Sequence, residues 1–411
     1  MRALRATSRA DPAVRPDRAG DAGGHAAGHR PRRLLRAVVL GVAGAALLTA
    51  CANLDTVDYY WQGAAGQFDL LARSEPIPEA IGRGDAMLAA RLAQVQAIRS
   101  FASRNLGLPD NGSYTRYADV GRPFVTWNVF ATPGLSLEPR RWCFPIAGCV
   151  DYRGYFDEAA ARREATRLRA GGDDVYVGGV PAYSTLGWFD DPVLSTFIRW
   201  PETEVARLVF HELAHQLLYV KDDTVFNESF ATTVEEVGLE RWLAAQKDPA
   251  LTAQAARADR LRAVFRDLVR RTRAKLAQLY ASNLDDAAKL RAKREAFAEM
   301  KAAYEAAKAG APGLAGYDRW FANSPNNASL AAVGIYTDRI PAFRELLREA
   351  GSDLPRFYAR VRSIAAMARP DRDRILDAAA AQGRAYALAE GAGAGAVAGA
   401  GAVPARIRRS Q

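Results

Sequence analysis

The sequence predicts an α+β chain that is mainly α, with a small sheet ahead of a buried helix and a helical C-terminal half. Three features point there. Residues 113–132 are rich in Tyr, Val, Thr, Phe and Trp, and Val125, Trp127 and Val129 alternate with the period of a strand. Pro78 to Leu106, and the stretch from Pro201 onward, carry apolar residues at helical spacing instead. Beyond Pro249 the composition turns to Ala, Arg, Lys and Glu through Lys308, as in long solvated helices.

In chain order, Asn53 to Gln62 reads as a short tether or cap. Between Pro78 and Leu106, Met87, Leu88, Leu92, Val95, Ile98 and Phe101 recur on one face, and Gly107 and Pro109 end the helix. Asp157 to Ala170 has the pattern of an N-capped helix stopped by Gly171-Gly172, and Val175 to Val177 that of a strand. Pro181 to Pro192 is irregular, aromatic and polar, a candidate substrate wall through Tyr183 and Trp188. Pro201 opens a helix to about Val220 with Glu202 and Glu204 in its first turn; a second helix runs from about Asn227 to Gln246. Ser282-Asn283 folds the stretch of about Leu251–Ala309 into a helical hairpin. Pro312 to Pro325 is expected to be a loop, and three more helices fill Asn327 to Tyr386. Gly391 to Ala405 is a low-complexity Gly/Ala tail. The expected segments are thus 1–50, an N-terminal signal region; 51–248, a catalytic core; 249–388, a helical region; and 389–411, the tail.

The chain has 411 residues and a formal net charge of +10. Residues 1–50 hold nine Arg and three Asp, and the remainder nets only +4, which calls for no nucleic-acid partner. Residues 1–36 have the composition of disordered chain. An uncharged run of fourteen residues, Ala37 to Ala50, follows Arg30, Arg32, Arg33 and Arg36. It is too short to span a bilayer and matches the apolar region of a secretory signal. Its end, Leu48-Thr49-Ala50-Cys51, resembles the bacterial lipobox, which implies lipidation of Cys51 and a periplasm-facing anchor in the cell envelope. Ala rather than Asp at position 52 points, within that resemblance, to the outer membrane. Export would place Cys143 and Cys149 in an oxidising compartment, where a disulfide closing their short Pro/Gly loop is expected.

The chemistry concentrates in Phe210-His211-Glu212-Leu213-Ala214-His215-Gln216. Positions four apart share a helical face, so His211 and His215 can grip one ion together. Glu212 lies about 100° around the helix from His211, placed to reach a water rather than the metal. Zinc on two histidines, a polarised water and a carboxylate base are the parts of metal-assisted peptide hydrolysis. Apolar flanks (Leu208, Val209, Phe210, Leu217, Leu218) make this a buried helix, and a buried His-His-Glu set requires compensating charge. The chain has four His, two of which, His25 and His29, lie in the segment expected to be removed. The third ligand must then be a carboxylate, giving a His2Glu site with one open position. Tyr219 and Tyr336 are candidate donors to an oxyanion, and Glu202, Asp190 and Asp191 are eligible to capture a substrate amine.

Asn227-Glu228-Ser229-Phe230-Ala231, with Glu235 further along, resembles the NExFAxxxE segment of the aminopeptidase N family of gluzincins. The resemblance implies that Glu228 is the third zinc ligand and that Glu235 orients His211 or His215 through its other ring nitrogen. Glu228 follows His215 by thirteen residues, a shorter gap than in aminopeptidase N, whereas Glu235 at twenty has thermolysin-type spacing and is the rival ligand. Joined to Cys51, the Cys143–Cys149 loop, Tyr183 to Phe189, Asn326-Asn327-Ala328 and Tyr336, the pattern resembles the bacterial family of predicted zinc aminopeptidase lipoproteins. That resemblance extends from about Cys51 to at least Phe357. It implies a zincin-like core, one Zn2+ ion and a peptide substrate, with aminopeptidase activity. An envelope endopeptidase and a non-catalytic metal-containing scaffold are the alternatives.

Overall fold

The computed structural model describes residues 56–144, 148–334 and 339–383. Contacts divide the chain into two units, Met1–Asp58 and Tyr59–Gln411, and nearly all described residues belong to the second. Cys51 and Tyr336 lie outside the described residues.

The first element is a helix, α1 (56–73), where the sequence suggests only a tether at Asn53–Gln62. Its support is tertiary, and therefore invisible to local pattern: the Tyr59 ring stacks on Phe144, meets Tyr155 edge-on at 5.3 Å and carries the Arg153 guanidinium 4.1 Å above it. Strand β1 (Ser74–Pro76) and helices α2 (Ile77–Arg83) and α3 (Ala86–Leu106) follow. The single helix expected over Pro78–Leu106 is broken because Gly84 is extended and the Asp85 side chain caps α3, accepting from the Leu88 amide at 2.7 Å. Gly107, at φ +67°, closes α3 in the left-handed conformation.

Among the described residues three small sheets stand where one is expected; a bend at 121–123 sends the two halves of the strand-rich stretch to different sheets, and a separate hairpin makes the third. Strand β2 (Arg116–Ala118) lies between β1 and β8 (Val193–Leu194). Strand β3 (Thr126–Pro133) pairs antiparallel with β7 (Asp173–Val180) along its whole length and with β6 (Arg153–Tyr155). Helix α4 (Glu158–Ala170), capped by Asp157 as expected, packs on that sheet through Ala161, Ala165 and Leu168. Strands β4 (Trp142–Phe144) and β5 (Gly148–Val150) form a hairpin closed by the Cys143–Cys149 disulfide.

Helices α5 (Glu202–Leu217) and α6 (Thr224–Gln246) run through the main core. The expected hairpin is α7 (Pro249–Ala281) and α8 (Asp286–Gly310), joined by the short 282–285 turn. Between them Phe265, Val269 and Leu276 meet Ala296, Met300 and Tyr304 in a second core. Pro312–Pro325 is largely helical, not the expected loop: a 3-10 turn (Pro312–Tyr317) leads into α9 (Asp318–Ala322). Tyr317 stacks on Phe265, Phe321 stacks on Tyr304, and the Tyr304 hydroxyl donates to the Leu314 carbonyl, so aromatic packing stabilises a segment that looks irregular in sequence. Among the described residues four helices then follow, where three are expected: α10 (Asn327–Gly334), α11 (Ile340–Glu349), α12 (Leu354–Ala365) and α13 (369–383). Lys293 of α8 docks the hairpin on the sheet, donating to the Gly134 carbonyl at 2.7 Å and to Asp174 at 2.6 Å. No helix among the described residues is long and apolar enough to cross a membrane.

Candidate metal centre

Helix α5 is split between two duties. Val205, Ala206, Val209, Phe210, Leu213 and Ala214 are buried in the main core, which leaves Arg207, His211, Glu212 and His215 for the remaining face. The neighbouring helix α6 is buried on most of its surface, so its acidic residues point into protein rather than water. Gly238 lets the two helices approach: a Cβ there would stand 2.7 Å from the Phe210 ring and 2.9 Å from Leu106.

The loop between the helices is short and heavily held, and it sets where α6 begins. The Asn227 amide accepts from the Val220 N–H at 2.7 Å and donates to the Val220 carbonyl at 2.8 Å. Asp222 sits at φ +68° and accepts from the Cys149 amide at 2.6 Å through its side chain, while its carbonyl accepts from Arg141 and Arg369. Gly148 has no room for a Cβ against Lys221 and Asp222, so the disulfide hairpin lies directly on this loop. Asp223 caps α6 by accepting from the Phe226 amide and pairs with Arg372 of α13 at 2.7 Å; both side chains are buried.

These constraints bring three ligand atoms together. His211 Nε2 stands 3.1 Å from His215 Nε2 and 3.2 Å from Glu228 Oε2, and His215 Nε2 is 3.6 Å from the same oxygen. Bonds of zinc length at tetrahedral angles separate neighbouring ligand atoms by about 3.3 Å, which the three edges match. Among the described residues these are the three His, Cys, Asp or Glu side chains whose ligand atoms all lie within 4.8 Å of one another. The donor set, two imidazoles and one carboxylate, is one that could hold a metal ion.

Glu235 lies on the other side of the His211 ring. Its Oε2 is 3.1 Å from His211 Nδ1, and its Oε1 is 3.2 Å from Arg207 Nη1. The two glutamates weighed as third ligand thus occupy different ring nitrogens of the same histidine: Glu228 at the nitrogen shared with His215, Glu235 at the far one. His215 Nδ1 is buried and has no hydrogen-bond partner among the described residues.

The electrostatics are those of a tightly coupled cluster. Burial would push the Glu228 carboxyl up, but His215 and His211 outweigh it and hold it down at about 2. Burial would lower His211, yet hydrogen bonds to Glu228 and Glu235 raise it well above the usual imidazole range. Glu235 is held low despite its burial by His211 and Arg207. Glu212, half-buried and outside the ligand triad, is instead pushed up by burial, against the pull of the two histidines.

Of the other expected site residues, Tyr219 lies within electrostatic range of Glu228, and burial raises its hydroxyl to about 12. Tyr336 lies outside the described residues. Tyr183 packs edge-on against Phe156, and Trp188 is 68 % exposed. Their loop is tied to the metal helix by Asp191, which accepts from Thr185 Oγ1 at 2.8 Å and from Gln216 Nε2 at 3.2 Å. Burial raises Asp191 to about 6. Asp190 is exposed. Glu202 is not at the metal cluster: it starts α5 and holds Gln94 and the Trp242 indole N–H.

Two neighbours escape the sequence reading. Arg207 does carry a signal, a charge four residues before His211 on the same helical face within Val205–Phe210. Tyr152 carries none: it sits in the turn between β5 and β6 with its ring against Phe130, and its hydroxyl lies in the field of Glu228 and Glu212.

Residues 58–376 match the model of the family described as "Putative aminopeptidase". The chain belongs to that family. The match runs from α1 into α13 and so contains the ligand cluster and both helices of the α7–α8 hairpin. Membership makes the chain a peptidase at the level of the family. None of the curated proteins and none of the solved structures matches it.

Proposed function

We propose that the protein is a zinc-dependent peptidase of gluzincin type, built on a zincin-like core and acting as an aminopeptidase. The observation that carries this reading is the convergence of His211 Nε2, His215 Nε2 and Glu228 Oε2 at the spacing of a tetrahedral metal site, one residue from a carboxylate outside the triad. Two imidazoles and a carboxylate that converge on one buried place are a donor set suited to a cation. His211, His215 and Glu228 hold the ion; Glu235 fixes the His211 ring through Nδ1. When bound, zinc supplies the Lewis acidity that acidifies a water and polarises the scissile carbonyl. Glu212, next to His211 and outside the ligand triad, would be the base that takes a proton from the attacking water and returns it to the departing amine. Tyr219 and Tyr152, whose hydroxyls lie in the field of Glu228, would donate to the developing oxyanion. Tyr183 and Trp188 line the approach for the peptide, on a loop that Asp191 ties to Gln216. The chain is anchored through lipidated Cys51 on the periplasmic side of the outer membrane.

Removing metal with a chelator is expected to abolish cleavage of short peptides, and one equivalent of zinc to restore it. Peptides with a free amino terminus are expected to be cleaved and their N-acetylated counterparts spared. Equal cleavage of both sets would rule out the aminopeptidase reading in favour of an endopeptidase. Full activity after verified metal removal would overturn the metallopeptidase reading.

A further inference from the structure

Arg207 is 6 % exposed, an unusual place for a guanidinium unless it is paired, and its two terminal nitrogens both are. Its planar fork divides between two helices. Nη1 reaches Glu235 Oε1 of α6 at 3.2 Å, and Nη2 reaches Asp259 Oδ1 of α7 at 2.5 Å. Glu235 in turn presents its other oxygen to His211 Nδ1 at 3.1 Å. On the hairpin side, Arg262 of α7 lies 3.6 Å from Asp259 and 3.0 Å from Glu204 of α5, which closes a ring of charges between α5 and α7.

From this chain of contacts we propose that Arg207 is a positioning residue for the metal site, bracing the His211 ring against helix α7 through Glu235. The proposal rests on the metal reading of the same cluster. Glu235 alone can orient His211 only as well as its own carboxylate is held. Arg207 holds the oxygen that His211 does not use, so the carboxylate plane is set by two contacts rather than one. Two separate carboxylates at two nitrogens of one planar group is a demand that lysine, a single point of charge, meets only in part. Asp259 fixes the far nitrogen, so the helical hairpin becomes part of what orients a ligand many residues away in sequence.

The test is zinc affinity, measured by competition with a chromophoric chelator, on the full chain as wild type, Arg207→Met, Arg207→Lys and Asp259→Asn. The visible spectrum of each cobalt-substituted protein reports ligand geometry independently of activity. Expected are a dissociation constant raised about tenfold in Arg207→Met with an altered cobalt spectrum, and partial recovery in Arg207→Lys. Asp259→Asn is expected to shift both readouts in the same direction by less. Should Arg207→Met fail to fold, Asp259→Asn and Arg207→Lys decide the matter alone. Wild-type affinity and an unchanged cobalt spectrum in the folded variants overturn this inference and leave the metal reading intact. A wild type that binds no zinc overturns both.

Discussion

Glu212→Gln is expected to cleave peptides about 10²- to 10⁴-fold more slowly than wild type while retaining its zinc. Glutamine keeps the shape and the capacity to hydrogen-bond but cannot accept a proton. Glu212 lies beside both histidines yet is not one of the three converging ligands, so the metal has no cause to leave. The loss belongs in kcat, because the carboxylate acts on the reacting water and not on the peptide at rest. Steady-state kinetics on samples of matched metal content check this. A variant that loses zinc together with activity would mean that Glu212 is a ligand, and the division of roles along α5 would have to be redrawn.

Arg372→Met is expected to cost about 3–5 kcal/mol of stability, the usual effect of breaking a buried ion pair from one side. Arg372 donates to the same Asp223 oxygen at 2.7 and 3.0 Å, and its guanidinium lies 5.5 Å over the Phe226 ring. Without it Asp223 is left buried and charged at the first turn of α6. That is a large share of the total stability of a domain. Glu228 lies one turn into the same helix, so the variant should also bind metal less tightly. Denaturant unfolding gives the first number and chelator competition the second. A midpoint within error of wild type would mean that α13 is not what holds the start of α6.

Much of the site is legible in sequence because it is local. His211, Glu212 and His215 share one helix, and helical spacing alone puts the two imidazoles on one face. Glu228 and Glu235 share the next helix, but which of them meets His215 depends on the loop that joins the helices. That loop is held by Asn227 clasping Val220, by the left-handed Asp222 and by the disulfide hairpin lying on it, none of which has a periodic signature. The long α7–α8 hairpin is legible from composition and its break at Ser282-Asn283, whereas α1 and α9 are not. Both are short of local signal and rest on aromatic partners from elsewhere, Tyr155 for the first and Phe265 for the second. Likewise Glu202, conspicuous in sequence as an acidic helix start, turns out to serve Trp242 and Gln94.

The most direct test is the zinc content and zinc affinity of wild type, Glu228→Gln and Glu235→Gln, purified in parallel. The expected result is one zinc per wild-type chain, none retained by Glu228→Gln, and one retained by Glu235→Gln with affinity about 10- to 100-fold weaker. A wild type without metal, or a pair in which Glu235→Gln loses the ion while Glu228→Gln keeps it at full affinity, would contradict a centre built on His211, His215 and Glu228.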